Sequence, residues 1–393
     1  MTCDVLIIGG GVMGCSTASH LRRDGFAGRI IIIERDPTYR RASSALAMGG
    51  IRQQFGSAIN IRLAQYSIEF YKAFNRELRT PDHAAQSGFE QRGYLFLVDG
   101  AHADRFERRY QAQRQLGAHV ERLDMSQLRR LLPDVRLDDI EFGVFGPDDG
   151  YAAPRAVLAG FRHMATSAGV EFIKAEVAAV RGANGRVDGV TLDDGQTISS
   201  RLIVNAAGPY AGRVAVLAGV DLPVLPVRQH LFRCALPRTW PYRFPMVIDP
   251  TGVHWRHEDP ADPSDRDRII VAKTKLDEAP GENFTCDDSR WHDDFRPPLV
   301  RRVPAFERVE VVEGWAGLYE MTPDHNPIIG EHPDLSGFLL VNGFSGHGLM
   351  MAPAIGKMMS ELIRLGRADT FDITPFALSR FRRGELFWDE AMI

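Results

Sequence analysis

The fold of this chain is decided by residues 4–34, DVLIIGGGVMGCSTASHLRRDGFAGRIIIIE. The apolar run 5–8 is typical of a strand that is buried on both faces of a parallel sheet. It leads directly into Gly9, Gly11 and Gly14, which have the G-x-G-x-x-G spacing, and then into a helical pattern. This order predicts a strand, a tight turn and a helix whose N-terminus faces a pyrophosphate.

A second apolar run, 30–33, stops at Glu34, twenty residues beyond Gly14. An acid at the end of the second strand is in the right place to bond a ribose hydroxyl. Glycines also occur in ordinary turns, so the glycine spacing alone would be a weak signal. Because the strand, helix, second strand and acid all fall where the motif requires them, we predict that this stretch binds a dinucleotide, either NAD or FAD.

The composition bounds the class of protein. A chain of 393 residues is too long for one ordinary core, which predicts two domains. The formal net charge of −4 gives no basic face for nucleic acid or an anionic membrane, so neither partner is expected. No apolar run approaches the ~20 residues of a spanning helix. With a strand beginning at residue 4 there is no room for a signal peptide, and a cytoplasmic location is expected.

The cysteines do not indicate a metal centre. Cys3, Cys15, Cys234 and Cys286 are scattered along the chain and form no C-x-x-C pair. Neither a zinc site nor a disulfide framework is therefore expected.

Two later glycine turns repeat the opening pattern. The apolar run 201–204 ends in NAAGP at 205–209, and the run 338–341 ends in NGFSGHG at 342–348, before a helix that reaches about residue 365. Each is a buried strand followed by a turn of small residues. We infer that the chain leaves the nucleotide-binding domain and returns to it, which predicts an α/β fold with a Rossmann-like domain and a second domain.

The remaining elements follow from periodicity and turn residues. Apolar periodicity predicts helices at 60–78, 102–116, 125–132 and 154–169. Alternation and apolar runs predict strands at 92–98, 170–180, 187–192, 222–236, 246–255 and 268–272. The pair Asn184-Gly185 predicts a hairpin turn, and the charged stretch 257–267, HEDPADPSDRD, predicts a solvated loop.

With these motifs in place, the chain resembles the FAD-dependent oxidases and dehydrogenases of amines and amino acids. That family includes D-amino acid oxidase, glycine oxidase, sarcosine oxidase and dimethylglycine dehydrogenase. Further segments are similar to the mitochondrial FAD-dependent oxidoreductases that assist the assembly of respiratory complex I. Those segments are SALAMGGIRQQF at 44–55, RVPAFE at 302–307, GWAGLY at 314–319 and PFALSRF at 375–381.

The resemblance covers essentially the whole chain and implies an architecture. It predicts a FAD-binding domain assembled from residues 1–85, 147–222 and 312–393. It also predicts a substrate-binding domain with a mainly antiparallel sheet, made of residues 86–146 and 223–311.

Two departures from the family bear on how FAD is held. Where monomeric sarcosine oxidase has a cysteine linked to the flavin, this sequence has Gly317. The histidine that tethers the flavin in dimethylglycine dehydrogenase is absent from 41–50. We therefore predict noncovalent FAD.

The resemblance also implies the residues that hold the cofactor. The turn at 343–348 would place the N-terminus of a helix against the pyrimidine edge of the flavin, where the reduced anion carries its charge. The predicted cofactor-binding residues are Gly9, Gly11, Val12, Met13, Gly14, Glu34, Arg35, Ser43, Ser44, Gly49, Gly50, Val177, Ala207, Gly208, Gly343, Gly346, His347, Gly348 and Leu349.

Several residues are candidates for substrate binding or catalysis. Arg52 matches the arginine that holds the substrate carboxylate in sarcosine oxidases, with a structural salt bridge as the alternative. Tyr319 falls where the family has a tyrosine near the substrate, with core packing as the alternative. His254, with Trp255 beside it, could point over the flavin. His347 is a catalytic candidate that we expect to bond backbone or flavin rather than to act as a general base.

The sequence does not decide which residue supplies a second positive charge at the substrate site. Sarcosine oxidase has a lysine after its G-H-G turn, where this chain has Met350, a candidate substrate contact. Lys273 or Lys275 could be the cation that helps oxygen accept electrons, or could bind an acidic substrate. The alternative is that both lysines face solvent.

The resemblance implies the reaction class and leaves the substrate open. In these enzymes the carbon next to the substrate nitrogen gives a hydride to the flavin, and the resulting imine is hydrolysed. We predict such oxidation of an amine or amino acid, in particular of a secondary or N-substituted amino acid. Oxygen, a quinone or an electron-transfer protein would then accept the electrons. The alternatives are a 2-hydroxy acid oxidoreductase and a FAD-binding assembly or partner protein with vestigial catalysis.

Overall fold

The computed structural model describes residues 1–258, 267–275 and 278–389. The strands are β1 Val5–Ile8, β2 Ile30–Ile33, β3 Gly50–Ile51, β4 Arg79–Thr80, β5 His83–Ala84, β6 Tyr94–Asp99, β7 Glu121–Leu123, β8 Ile140–Gly146, β9 Gly150–Tyr151, β10 Glu171–Ile173, β11 Val177–Ala183, β12 Arg186–Leu192, β13 Thr197–Ser199, β14 Ile203–Asn205, β15 Leu225–Ala235, β16 Met246–Ile248, β17 Val253–Glu258, β18 Arg268–Lys273, β19 Glu310–Met321, β20 Ile328–Glu331 and β21 Phe338–Asn342. The α-helices are α1 Val12–Arg23, α2 Ser43–Leu46, α3 Ala58–Lys72, α4 Phe74–Glu77, α5 Ala103–Gln115, α6 Met125–Leu131, α7 Pro154–Ser167, α8 Ala211–Leu217, α9 Arg296–Arg302, α10 Gly348–Leu365 and α11 Ser379–Arg383.

A six-stranded sheet forms the centre of the nucleotide-binding half, with the order β10-β2-β1-β14-β21-β20. Its first five strands are parallel, and β20 is antiparallel to β21. All residues of β1 and β2 are buried, as their unbroken apolar runs predict. Val5 and Ile7 belong to one hydrophobic core and Leu6 and Ile8 to another, so the sheet is covered on both faces. The predicted α/β fold with a Rossmann-like sheet is confirmed.

A smaller sheet, β11-β12-β13, covers part of one face. The predicted hairpin turn is present, and Asn184 and Gly185 both have positive φ, 52° and 72°. The strand predicted at 170–180 is wrong as a single element. Its first part is β10, which pairs with β2, and only the part from Val177 belongs to the hairpin.

The second large sheet has eight strands, in the order β19-β15-β18-β17-β16-β6-β8-β7. It is antiparallel except where β16 runs parallel to β6. A separate core packs on one face and includes the fully buried rings of Trp255, Phe244, Phe295 and Phe306. The domain ranges stay a prediction, although one predicted boundary, residue 312, falls inside β19 of this sheet.

Three further local predictions need correction. The strand predicted at 246–255 is two strands, β16 and β17, which pair antiparallel with each other. The helix predicted at 60–78 begins at Ala58, where the Ser57 hydroxyl accepts the amide of Asn60, and it is interrupted at Ala73 between α3 and α4. The charged stretch 257–267 is not loop throughout, because His257 is buried in β17 and accepts the amide of Phe244 through Nδ1 at 2.8 Å. Positions 259–266 of that stretch lie outside the described residues.

None of the helices in the described part of the chain combines the length and the apolar character needed to cross a membrane.

Candidate active site

A long cavity lies where the two large sheets meet. One wall is formed at the carboxyl ends of the parallel strands β1, β2, β14 and β21, the usual ligand position in an open α/β sheet. The other wall is formed by strands of the eight-stranded sheet, with Gln229, His254, Lys273 and Tyr319 among its residues. The cavity therefore joins the nucleotide motif to the second half of the protein.

At the nucleotide end, the glycines of the opening motif have distinct physical roles. Gly9 has φ +105°, and a side chain there would come within 2.4 Å of the Ala206 carbonyl oxygen. A side chain at Gly14 would come within 2.0 Å of the Gly9 carbonyl oxygen, so this glycine allows close packing of the helix on the turn. Gly11 is the N-cap of α1 and has no side chain to accept the first-turn amides, although the Ser44 hydroxyl accepts the amide of Val12 at 3.1 Å.

Glu34 and Arg35 lie beside this turn. The Glu34 carboxylate accepts the amides of Gly10 at 2.9 Å and Asp36 at 2.8 Å, and burial raises its pKa. The Arg35 guanidinium lies 3.7 Å from the ring centroid of Tyr210. Both side chains line the cavity, where an acid and a flat cationic surface suit a ribose and an adenine.

The turn after β21 approaches the cavity from the opposite side. Gly343, Ser345 and Gly346 all have positive φ, 76°, 48° and 94°. A side chain at Gly346 would come within 2.6 Å of the Tyr319 ring, so the turn and β19 can approach this closely only with glycine there. His347, the N-cap of α10, makes no side-chain capping bond. The N-terminus of this 18-residue helix thus opens toward the cavity.

The structure brings most of the predicted cofactor residues together. Those that line the cavity are Gly9, Gly11, Val12, Met13, Glu34, Arg35, Ser43, Ser44, Gly49, Gly50, Val177, Ala207, Gly208, Gly346, His347, Gly348 and Leu349. Gly14 and Gly343 do not line it. Gly14 packs on the turn as described, and the amide of Gly343 donates to the Glu320 carboxylate at 2.9 Å.

These features fit FAD. The N-termini of α1 and α10, whose N-cap residues make no side-chain capping bond, open into one cavity, and each favours negative charge. The first suits a pyrophosphate, and the second suits a ring that becomes anionic on reduction. The cavity continues between them past Ser43, Ser44 and Gly49, so a single extended cofactor reaches both.

Beyond α10 the cavity reaches Arg52, which is only 1% exposed. Its guanidinium lies 4.4 Å from the ring centroid of Phe55, and Nη2 lies 3.3 Å from Nε2 of His347. A second Arg52 nitrogen, Nη1, donates to the carbonyl of Gln54. This cation is therefore buried and fixed in direction.

Both histidines at this end are neutral near pH 7. Burial and then the charge of Arg52 lower the pKa of His347 to about 3. Burial lowers the pKa of His254 to about 4, and its Nδ1 lies 3.0 Å from the carbonyl of Gly252. Neutral imidazoles can donate or accept hydrogen bonds here without adding positive charge.

The other predicted substrate residues are divided by the structure. Tyr319, Met350 and Lys273 line the cavity together with Arg52. Trp255 does not point over it, because its side chain is fully buried in the core on the other face of the eight-stranded sheet. His254 alone of that pair faces the cavity, as period-two alternation along β17 requires.

Lys275 lies in the segment after β18 and is not part of the cavity wall. Its backbone amide and carbonyl are held by the Gln229 side chain at 3.0 and 2.8 Å. Of the two lysines, Lys273 is the one placed for contact with a bound molecule.

Sequence reasoning missed two carboxyl groups with raised pKa values. Glu320 lines the cavity and is partly buried. Burial raises its pKa to about 7 against the opposing effect of the Gly343 and Phe344 amides. Asp149 is 0% exposed, its pKa is also raised to about 7 by burial, and it accepts the amide of Gln53 at 3.0 Å. The only signal for Asp149 was its place in the turn 147–150, and an aspartate in a turn is equally typical of an exposed residue.

Comparison with known proteins identifies the family. The family model described as "DAO: FAD dependent oxidoreductase" matches residues 4–362. The chain belongs to this FAD-dependent oxidoreductase family. FAD is its cofactor, as the motifs and the cavity predict, and the protein is an oxidoreductase of the amino-acid oxidase type.

Relatives of this FAD-dependent oxidoreductase cover nearly its whole length. It is 33% identical to FAD-dependent oxidoreductase domain-containing protein 1 of Bos taurus, over 97% of this chain and 85% of that protein. It is 28% identical to glycine oxidase of Geobacillus kaustophilus, over 96% of this chain and 97% of that protein. Among solved structures, L-proline dehydrogenase from P. horikoshii superposes with a TM-score of 0.88 at 27% identity, covering 98% of this chain and 99% of that one.

Proposed function

We propose that this protein oxidises the C–N bond of a secondary or N-substituted amino acid. FAD, when bound, supplies the two-electron chemistry and takes the hydride from the carbon next to the nitrogen. The chain's own residues bind and orient the substrate, keep its nitrogen in the reactive form and exclude water.

The buried guanidinium of Arg52 carries this proposal. The planar fork of a guanidinium suits a carboxylate, which it can bind through two parallel hydrogen bonds. Arg52 is 1% exposed and lines the same cavity as the two helix N-termini. An amino acid held by its carboxylate at this point would have its α-carbon directed back toward the turn at Gly346 and His347.

The surroundings favour a neutral substrate nitrogen. His347 and His254 are uncharged near pH 7, and burial raises the pKa of Tyr94 to about 12, so Tyr94 stays a neutral phenol. Met246 and Met350 also line this end of the cavity. Apolar walls with neutral polar groups disfavour an ammonium ion and leave room for a substituent on nitrogen.

The family comparison supports the reaction class. Relatives and structural matches are named glycine oxidase, L-proline dehydrogenase and sarcosine dehydrogenase, and the first two cover at least 96% of this chain. Glycine aside, the substrates in these names are secondary amines with a carboxylate. The electron acceptor in this proposal is oxygen, a quinone or an electron-transfer protein. A cytoplasmic location of the protein stays a prediction.

Two other functions are consistent with parts of this site. A 2-hydroxy acid would use the same arginine and the same hydride transfer from a carbon that bears oxygen. A FAD-binding partner protein with vestigial catalysis is motivated by the segments that resemble the complex I assembly oxidoreductases, such as SALAMGGIRQQF at 44–55.

Anaerobic reduction separates the three functions. The oxidised holoprotein is mixed without oxygen with glycine, sarcosine, N,N-dimethylglycine, L-proline, D-alanine and L-lactate, and the visible flavin band is followed. Bleaching by an N-substituted amino acid is the expected result. Bleaching by lactate alone would establish the hydroxy acid. If no compound bleaches a flavin that is readily photoreduced, the binding protein is the better account.

A further inference from the structure

The loop that carries Arg52 is buried but has little secondary structure of its own. It joins β3 to α3 through residues 52–57, and Arg52, Gln53, Gln54 and Phe55 are at most 2% exposed. Backbone polar groups in a buried loop must find partners elsewhere in the protein. The conformation of the loop, and with it the direction of the arginine, depends on those partners.

The first half of the loop is held by Asp149, in the turn between β8 and β9, and by Tyr94 of the eight-stranded sheet. Asp149 accepts the amide of Gln53 at 3.0 Å and the side-chain amide of Gln54 at 3.2 Å. The same Gln54 amide donates to the carbonyl of Tyr94 at 2.7 Å. These bonds fix the two residues that follow Arg52.

The second half is held by Asp389, which is 333 residues away from Gly56 in sequence. One oxygen of this carboxylate accepts the amide of Gly56 at 2.7 Å, and the other accepts the amide of Ser57 at 3.0 Å. The side-chain amide of Asn60 donates to the second oxygen at 3.0 Å. Asp389 is 5% exposed and lies at the N-terminus of α3, where a negative charge is favoured.

The segment that carries Asp389 is itself anchored. The amide of Phe387 donates to Asp324 at 3.0 Å, and Asp324 forms a paired contact with Arg380 at 2.7 and 2.9 Å. Asp324 is 0% and Arg380 2% exposed. Asp389 therefore lies two residues beyond a backbone amide that is bonded to a buried ion pair.

The anchored loop contacts two residues of the candidate substrate site through Phe55. Phe55 stacks against Arg52 at 4.4 Å and meets the His347 ring edge-on at 5.5 Å, and it directly precedes the amides that Asp389 holds. We propose that Asp389 is a positioning residue, which fixes the loop 52–57 so that Arg52 and His347 are aimed at a bound carboxylate. The inference deepens the proposed function and rests on it for the role of Arg52.

Hydrogen exchange on the holoprotein tests the anchoring directly. Asp389→Asn keeps the shape and removes the charge, and Asp389→Ala removes both acceptors. Glu385→Ala is the matched control, because its carboxylate lies in the same segment but pairs with Arg383 on the surface. Hydrogen exchange in peptides spanning 52–60 is expected to be faster in both Asp389 variants than in wild type, and faster in the alanine variant than in the asparagine variant. In the Glu385→Ala control it should be unchanged. Wild-type exchange there in Asp389→Ala would overturn the proposal.

Carboxylate affinity tests the consequence. Pyrrole-2-carboxylate, which cannot be oxidised in this way, is titrated into each holoprotein while the flavin spectrum is recorded. Because a guanidinium that is no longer pre-ordered binds a carboxylate less tightly, we expect the Kd to rise about ten-fold or more in Asp389→Ala and less in Asp389→Asn. The Kd should not change in Glu385→Ala. Retained FAD content and melting temperature in Asp389→Asn exclude general unfolding.

The two measurements separate the two ideas. If Asp389→Ala loosens the loop but leaves the Kd unchanged, Asp389 does not position Arg52 and the proposal fails. If wild-type protein shows no carboxylate binding at all, the proposed function fails, whereas the exchange result still decides whether Asp389 holds the loop.

Discussion

The carboxylate of Glu320, on the eight-stranded sheet, accepts the amide of Gly343, on the turn that follows β21, at 2.9 Å. This carboxylate in the cavity wall thus links the substrate side of the cavity to the turn beside the predicted flavin edge. Burial raises the pKa of Glu320 from 4.5 to about 7. The bond is consequently sensitive to pH in the physiological range.

Glu320→Gln should remove part of the pH dependence of stability. Because the folded-state pKa lies above the unfolded value, the folded protein holds more protons between about pH 4.5 and 7, and its stability falls as pH rises through that window. The full effect is at most about 3 kcal/mol at one pKa unit per 1.36 kcal/mol. The melting temperature of the variant relative to wild type should therefore increase from pH 5 to pH 8.

Asp149→Asn is the companion measurement, since the pKa of Asp149 is also raised to about 7 by burial. Each variant should remove its own part of the pH dependence of the melting temperature. If the melting temperature of Glu320→Gln depends on pH as that of the wild type does, this carboxyl does not change its protonation between pH 5 and pH 8.

Arg52→Met should weaken binding of a carboxylate inhibitor by about 100-fold, because removing one partner of a buried charged pair costs about 2–5 kcal/mol. Arg52→Lys should recover only part of the loss, since lysine lacks the planar fork. Arg301→Met, at a side chain that is 67% exposed, is the control and should bind like wild type. Flavin difference titration gives each Kd, and equal affinities in Arg52→Met and wild type would remove the carboxylate role.

Gly346→Ala should destabilise the protein more than Gly366→Ala. Both glycines have positive φ, 94° and 74°, but a methyl group at 346 would come within 2.6 Å of the Tyr319 ring, whereas nothing lies within 4 Å at 366. Backbone strain costs about 1–2 kcal/mol at either site. Overpacking adds about 1–3 kcal/mol at 346 only. Denaturant unfolding measures both, and equal losses would show that Tyr319 moves away freely.

Acid precipitation of the holoprotein should release its yellow chromophore into the supernatant. The described cysteines are distant from the chemistry, because none of Cys3, Cys15, Cys234 and Cys286 lines the cavity. Gly317, which does line it, offers no side chain for a bond to the flavin. Colour that stays in the protein pellet would contradict noncovalent attachment.

Lys273→Met should slow reoxidation of the reduced flavin by oxygen, if the protein uses oxygen as its acceptor. Lys273 lines the cavity and can place positive charge beside the reacting oxygen, whereas Lys275 lies outside it. Lys275→Met is therefore the control. Stopped-flow mixing of reduced protein with oxygen gives the rate, and a wild-type rate in Lys273→Met would exclude this cation.

The nucleotide-binding half could be predicted from sequence because its signals are contiguous. Gly9, Gly14 and Glu34 lie within one strand–turn–helix–strand unit, and the turn at 343–348 repeats the same local pattern. Strands buried on both faces of a parallel sheet appear in the sequence as unbroken apolar runs. The positions of β1, β2, β14 and β21 could therefore be predicted with small errors at their ends.

The support of the substrate site could not be predicted in this way. Gln53 is held by Asp149, 96 residues away, and Gly56 by Asp389, 333 residues away. A lone aspartate in a turn or near the last residues gives no local sign of such a partner. The orientation of Trp255 was similarly undecided, since alternation fixes that neighbours face opposite ways but not which of them faces the cavity.

Strand β19 places Tyr319 and Glu320 next to each other in sequence, with Tyr319 against Gly346 and Glu320 bonded to Gly343. Its pairing with β15 sets Tyr319 opposite Val227, and the pairing is regular until the bulge at Arg233 and Cys234. Inserting or deleting one residue between that bulge and Tyr319 would exchange the two faces of the strand. The bulge itself accommodates one extra residue of β19, Val312, before the pairing that sets Tyr319 and Glu320 begins. An added residue is therefore absorbed where the strands are already irregular, whereas one placed nearer the cavity would move both side chains out of their contacts.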